Sequence, residues 1–152
     1  MAGGARGSVA RPTAFWDASA LVPLCVRQGN SSRATGFYGQ YEIVVWWATP
    51  VEIASAMARL LRMNSIQLGE WKGALKIAST LSDAWSVIEP SLGVRGRAEQ
   101  LVQRYDLRAS DALQLAGALE WCGDAPQGQA FLTFDRRLFQ AALLNGFSAV
   151  GL

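Results

Sequence analysis

The sequence contains no histidine, two cysteines and two lysines. Without histidine, the chain cannot build Ser-His-Asp or Cys-His nucleophile systems, imidazole-based ribonuclease sites or zinc sites that use histidine. Lys72 and Lys76 lie in one predicted helix and no GxxxxGK[ST] string occurs, which excludes a phosphate-binding P-loop. Any chemistry of this chain must therefore use carboxylates, hydroxyls or arginines.

The chain also lacks features of secreted and membrane proteins. Cys25 and Cys122 are far apart and form no CxxC motif, as is typical of buried thiols in a reducing compartment. No apolar run approaches the roughly 18 residues that a membrane span needs. Residues 1–12 (MAGGARGSVARP) lack the apolar segment of a signal peptide. We expect a cytoplasmic protein without membrane association, with residues 1–12 as a flexible tail.

Composition predicts one compact domain over residues 13–152. Of the 152 residues, 51% are hydrophobic, so a sizeable core can form. Charged residues make up 17%, below the roughly 25% of an average globular protein. We therefore expect some apolar surface to be covered by a partner. The net charge of +2 is too balanced to indicate nucleic-acid binding, so any such site must be local.

Short β-like runs alternate with longer helical segments, a pattern typical of βα units and a parallel sheet. The expected fold class is therefore α/β. Strands are predicted over residues 13–17, 42–47, 85–88, 130–134 and 148–150, and helices over residues 19–27, 32–39, 49–63, 65–81, 92–105, 110–121 and 136–145.

The helix from residue 49 has the clearest start signal. Thr49 is the predicted N-cap, Pro50 takes the first helical position, and Glu52 completes a capping box. Just before it, Trp46 and Trp47 point to opposite sides of the predicted strand, so we expect one in the core and the other free to line a groove.

Four acidic residues stand where helices begin. In an open α/β sheet, ligands bind at the carboxyl ends of the strands. Each acid alone is explained by helix capping or by the helix dipole. Together they favour an acidic pocket at one edge of the sheet, and they are Asp17, Glu52, Asp111 and Asp135.

The residues around these acids add a second signal. They read DASAL over 17–21, TPVEI over 49–53, ASDALQL over 109–115 and LTFDRRL over 132–138. In these motifs and their order, the chain resembles the PIN-domain ribonucleases, particularly the VapC-type toxins of bacterial toxin-antitoxin pairs. The resemblance covers about residues 13–152. It implies a three-layer α/β/α sandwich around a parallel sheet of about five strands.

The resemblance also implies a function. It implies Mg²⁺- or Mn²⁺-dependent endoribonuclease activity that leaves 5′-phosphate and 3′-hydroxyl ends, a homodimer, and inhibition by a cognate antitoxin. It implies that Asp17, Glu52, Asp111 and Asp135 are the catalytic and metal-binding residues. One departure concerns Gln114, which stands where many relatives have a histidine.

The residue types suit that chemistry. Mg²⁺ prefers oxygen ligands and keeps several waters, so a carboxylate cluster can hold it without histidine. We expect Asp17 and Asp111 to ligate the ion directly or through water, with Asp135 next. Glu52 is expected as a ligand or as a base that positions water.

Three further residues are candidates around this pocket. Ser19 could donate a hydrogen bond to an inner carboxylate, or could simply cap a helix. Thr133 could serve similarly, or could be an ordinary strand threonine. Arg136 could hold an RNA phosphate, or could begin a solvated helix.

Other acidic-pocket proteins fit less well. A phosphoacceptor domain needs a lysine on a late strand, and haloacid-dehalogenase-like phosphatases need a DxD pair where this chain has Ser19. The remaining alternative is a non-enzymatic PIN-like module that binds RNA or protein.

Overall fold

The computed structural model describes residues 10–152, so residues 1–9 of the predicted tail lie outside the described residues. Within these bounds, the chain forms β1 Thr13–Trp16, α1 Ala18–Cys25, α2 Ser31–Gln40, β2 Glu42–Trp46, α3 Thr49–Arg62, α4 Leu68–Ser82, β3 Ser86–Ile88, α5 Leu92–Arg104, α6 Ala109–Trp121, β4 Ala130–Leu132, α7 Arg136–Leu144 and β5 Ser148–Val150. The predicted α/β alternation is confirmed.

The five strands form one parallel sheet in the order β3-β2-β1-β4-β5. Phe15 of β1 pairs with Val44 of β2 on one side and with Phe131 of β4 on the other. Along the chain, the strands are added outward from β1 through β2 to β3, and the next strand, β4, lies on the other side of β1. Strand order therefore reverses between β1 and β4, where open α/β sheets place their ligand crevice.

Two helical layers cover the two faces of the sheet because strand side chains alternate in direction. Ala14 and Trp16 of β1 pack in a core with α1, α3 and α4. Phe15 points the other way and packs with α5, α6 and α7, where its ring stacks on Phe131 at 5.4 Å between centroids. The three-layer α/β/α sandwich is thus confirmed.

The start of α3 differs from the prediction. The helix begins at Thr49 itself, with Ala48 in the capping position and no side-chain cap. The Thr49 side chain is buried, and its hydroxyl accepts a hydrogen bond from Gln114 instead. The predicted Thr49 N-cap and its capping box with Glu52 are wrong, because a contact with another helix uses the hydroxyl that would have capped α3.

The tryptophan pair separates as predicted, although β2 ends one residue early. Trp46 is buried against α6, whereas 54% of Trp47 is exposed. Pro23 lies inside α1, which ends at Cys25.

Both cysteines are free thiols. Burial raises the pKa of Cys25 to about 11, which disfavours its reactive thiolate form. Among residues 10–152, no helix combines the length and the apolar character needed to cross a membrane.

Candidate active site

A cleft of about 640 Å³ lies against the N-terminal ends of the helices that follow the strands. Its lining includes all four acids predicted from the sequence, namely Asp17, Glu52, Asp111 and Asp135. These residues come from four elements spread over more than a hundred positions. Asp17, Glu52 and Asp135 meet because each follows a strand that ends at the same edge of the parallel sheet, and Asp111 is brought there by α6, which packs against that sheet.

Asp17 follows β1 directly and is 5% exposed. Its carboxylate caps α1 by accepting a hydrogen bond from the backbone N–H of Ser19 at 3.2 Å. The same oxygen, Oδ2, accepts from the Ser19 hydroxyl at 2.5 Å and from the Thr133 hydroxyl at 2.9 Å. Asp17 therefore caps a helix and lines the cleft at once.

The two hydroxyls are themselves held by the segment that follows β4. Ser19 Oγ accepts from the N–H of Phe134 at 2.9 Å, and Thr133 Oγ1 accepts from the N–H of Asp135 at 3.0 Å. A hydroxyl can accept and donate at the same time, so each oxygen accepts a backbone N–H while its own proton is donated to Asp17. The contacts predicted for Ser19 and Thr133 with an inner carboxylate are present.

Glu52 lies in the first turn of α3, and its Oε1 accepts a hydrogen bond from Gln114 Nε2 at 3.0 Å. Asp111 lies in the first turn of α6. Asp135 caps α7 by accepting from the N–H of Leu138 at 2.8 Å. Each acid is thus close to a helix N-terminus, whose positive end favours negative charge.

The carboxylates oppose each other's ionisation. Burial, followed by the charge of Asp17, raises the pKa of Glu52 to about 7. Burial also raises the pKa of Asp17, which the charge of Asp111 raises further against the lowering effect of its hydroxyl donors. For Asp111, burial and then the charge of Asp135 raise the pKa. The pKa values of Asp17, Glu52 and Asp111 are therefore raised both by burial and by the charge of a neighbouring acid.

Protein cations offset the charge of the four acids only in part: within the described residues, the charges of Arg108 and Arg137 lower the pKa of Asp111. Across residues 10–152, no lysine or arginine pairs with any of the four acids, and the nearby Arg137 pairs with Asp106 at 3.5 Å. The described residues also contain no group of three or more Asp, Glu, His or Cys side chains arranged to hold one metal ion. Mg²⁺ is usually held by one or two carboxylates, with water and phosphate oxygens as its other ligands. The donor set fits that kind of open coordination.

Two arginines that line the cleft are not among the site residues predicted from the sequence. Arg59 and Arg108 both line it, and within the described chain neither forms an ion pair. Helical spacing could have identified Arg59, which is seven residues after Glu52 and thus on the same face of α3. Arg108 immediately precedes the ASDALQL motif. Arg136, the arginine singled out from the sequence, is exposed and is not among the residues that line the cleft.

No protein-family model matches this sequence, and no curated protein matches it. Solved structures do match its fold. The toxin VapC20 of Mycobacterium tuberculosis, described as cleaving the sarcin-ricin loop, has a TM-score of 0.66 at 16% identity, over 85% of this chain and 95% of that one. A toxin-antitoxin complex from Klebsiella pneumoniae has a TM-score of 0.61 at 18% identity, over 84% and 90%.

A third structure, PAE2754 from Pyrobaculum aerophilum, has a TM-score of 0.63 at 18% identity, over 92% of this chain and 89% of that one. At these identities the likeness concerns the fold. The chain has the fold of PIN-domain proteins of the VapC type, in agreement with the resemblance indicated by its four motifs.

Proposed function

We propose that this protein is a metal-dependent endoribonuclease that hydrolyses RNA phosphodiester bonds, and that it is the toxin of a toxin-antitoxin pair. The observation that carries the proposal is the convergence on one cleft of four carboxylates, none of which forms an ion pair within residues 10–152. Bringing such charges together is unfavourable by roughly 3 kcal/mol per pair about 5 Å apart at an effective dielectric near 20. A divalent cation offsets this repulsion directly.

Mg²⁺ or Mn²⁺ fits the donor set, which offers only oxygen atoms. Asp17 and Asp111 would hold the ion directly or through water, with Asp135 and Glu52 beside them. When bound, such an ion lowers the pKa of a water molecule and stabilises negative charge on phosphate oxygens.

Other residues in or beside the cleft would position the Asp17 carboxylate and the RNA phosphates. The hydroxyls of Ser19 and Thr133 hold Asp17 in one rotamer, since both donate to the same oxygen. Arg59 and Arg108 line the cleft beside the acids, where guanidinium groups can bind the phosphates on either side of the cleaved bond. RNA as the substrate is supported by the fold and by the described target of the VapC20 toxin.

The decisive experiment incubates the protein with a pool of RNAs, first with EDTA and then with added Mn²⁺ or Mg²⁺. We expect cleavage only with metal, and we expect it to be lost in Asp17→Asn. The matched control is Asp83→Asn, because Asp83 is exposed at the end of α4. Metal-dependent cleavage that persists in Asp17→Asn would refute the assignment. RNA binding without cleavage in any metal would favour the non-enzymatic module instead.

We also propose that the protein forms a homodimer, binds a cognate antitoxin and acts in the cytoplasm. The Klebsiella pneumoniae neighbour is a toxin-antitoxin complex, and the low share of charged residues agrees with apolar surface covered by a partner. Co-expression with the neighbouring open reading frame should yield a stable complex. Light scattering on the free protein should give twice the mass of the 16.4 kDa chain.

A further inference from the structure

Gln114 is a fully buried amide beside the acidic cleft. It lies on α6, three residues after Asp111. Its Nε2 donates two hydrogen bonds to α3, one to Glu52 Oε1 at 3.0 Å and one to Thr49 Oγ1 at 3.1 Å. Its Oε1 is buried and has no hydrogen-bond partner among residues 10–152.

The buried Oε1 makes this amide unfavourable for folding. A buried acceptor that loses water without gaining a partner destabilises the folded state. The neighbouring residues of α6 are apolar and buried, among them Ala112, Leu115 and Ala116. A methionine of similar size would remove this unpaired acceptor, but it would also take away the donor to the buried hydroxyl of Thr49 and to Glu52. Apolar packing alone therefore does not explain the amide, which serves two polar groups of α3.

What the amide provides is a link between the two helices that carry Glu52 and Asp111. In the described part of the chain, the hydrogen bonds that join α3 to α6 all come from Gln114. Gln114 is three residues from Asp111, so the two side chains project from neighbouring positions on one side of α6. A displacement of Glu52 relative to Asp111 would break one of these bonds.

We propose that Gln114 is a positioning residue that holds the Glu52 carboxylate at the acidic cleft. This inference rests on the proposed function. With Oε1 bound to the amide, Glu52 keeps Oε2 without a hydrogen-bond partner in residues 10–152, free for a metal ion or a water. Gln114 acts through Glu52 and does not itself contact the reacting atoms.

The test compares Gln114→Met with the wild type in three measurements. These are thermal stability, Mn²⁺ affinity from the free-ion signal in electron paramagnetic resonance, and kcat and KM for RNA. Loss of a group that orients a metal ligand typically weakens metal binding or activity by about 10- to 100-fold. We expect that loss in Mn²⁺ affinity and kcat, with KM nearly unchanged, and a modest fall in thermal stability because the buried Thr49 hydroxyl also loses its donor.

Controls separate positioning from a general effect on the core. Gln103→Met, at an exposed position of α5, should change none of the three measurements. Gln114→His should recover part of kcat, since an imidazole N–H can donate to Glu52. In a Glu52→Gln background, Gln114→Met should cause little further loss, because both changes act through the same carboxylate. Gln114→Leu serves the same comparison if Gln114→Met does not fold.

The outcomes are distinct. Unchanged Mn²⁺ affinity and kcat in Gln114→Met would overturn the inference and leave the proposed function standing. Lower stability with unchanged metal affinity, or losses that add fully to those of Glu52→Gln, would also overturn it. A wild-type protein that neither binds Mn²⁺ nor cleaves RNA would refute the proposed function, and this inference with it.

Discussion

The hydroxyl of Thr133 donates a hydrogen bond of 2.9 Å to Oδ2 of Asp17, across 116 positions of sequence. The same hydroxyl oxygen accepts the backbone N–H of Asp135. One threonine thus links the Asp17 carboxylate to the backbone of Asp135, at the place where strand order reverses between β1 and β4.

Replacing Thr133 with valine should therefore impair both stability and activity. The variant keeps the shape of the side chain but removes one donor to a buried carboxylate, a loss of about 1.5 to 3 kcal/mol in the free energy of unfolding. We expect kcat to fall about tenfold, since Asp17 loses one of its two hydroxyl donors. Urea denaturation and a cleavage assay measure the two effects. Thr80→Val, on the exposed face of α4, should be near neutral in both.

Metal binding should stabilise the protein, and above the Kd this gain should grow with the logarithm of the metal concentration. An ion that binds only the folded state adds about 2.7 kcal/mol at a hundredfold excess over its Kd. Differential scanning fluorimetry across a Mn²⁺ titration should show a rising Tm for the wild type. In Asp17→Asn this rise should shrink or disappear, whereas Asp83→Asn should follow the wild type. An equal rise in all three proteins would place metal binding elsewhere.

Without metal, stability should decrease between pH 4.5 and about 7. Burial and neighbouring carboxylates raise the pKa of Glu52 from 4.5 to about 7, so the folded state holds this proton more tightly than the unfolded chain. The resulting stabilisation is complete below pH 4.5 and is lost as the pH rises through the pKa of Glu52 in the folded state, about 7. Denaturation in EDTA at a series of pH values measures the effect.

Two variants isolate the contribution of Glu52 to that profile. Glu52→Gln should flatten it, because the amide carries no titrating proton. Glu89→Gln, at an exposed position, should retain the wild-type slope. Identical slopes in Glu52→Gln and the wild type would show that other groups control the pH dependence.

The two arginines of the cleft should act on substrate binding. Arg59→Ala and Arg108→Ala should each raise KM for RNA. Each should also make the binding constant for RNA less dependent on salt, reducing the magnitude of the slope of log K against log salt by about 0.7, the value for one phosphate contact on a single strand. Arg62→Ala, an exposed change on the same helix as Arg59, is the control. A salt dependence that is unchanged in both cleft variants would contradict a phosphate-binding role.

Gly151 should not tolerate alanine. Its φ of +127° is one that other residues rarely adopt, and a Cβ would lie 2.1 Å from the backbone oxygen of Thr133. We expect backbone strain to lower the free energy of unfolding by about 1 to 3 kcal/mol. Activity should also fall, because Thr133 has to shift to make room for the Cβ. Gly73→Ala, in the open middle of α4, should instead stabilise the protein by up to about 1 kcal/mol. Thermal denaturation of the two variants tests both directions.

Local signals in the sequence were sufficient for the elements and for the positions of the acids. The run EIVVW predicts β2, and the alternation of strands and helices predicts a parallel sheet. Asp17 and Asp135 were predicted at helix starts, and both cap helices in the structure. These features depend on residues a few positions apart, whose spacing is visible in the chain itself.

Contacts between distant segments needed the tertiary structure. Thr49 was predicted as an N-cap from its neighbours, but its hydroxyl accepts from Gln114, 65 positions away. The sequence left open whether Arg136 holds a phosphate or begins a solvated helix, and in the structure it is exposed while Arg59 and Arg108 line the cleft.

The sequence by itself determined that the protein has an α/β fold with four acids at helix starts and no histidine to assist them. The tertiary structure alone decided which side chains hold those acids. Strand order and helix packing bring Thr133 to Asp17 and Gln114 to Glu52, and these distances follow from the burial of whole helix faces against the sheet. No local periodicity encodes them, because each depends on the packing of segments far apart in the chain.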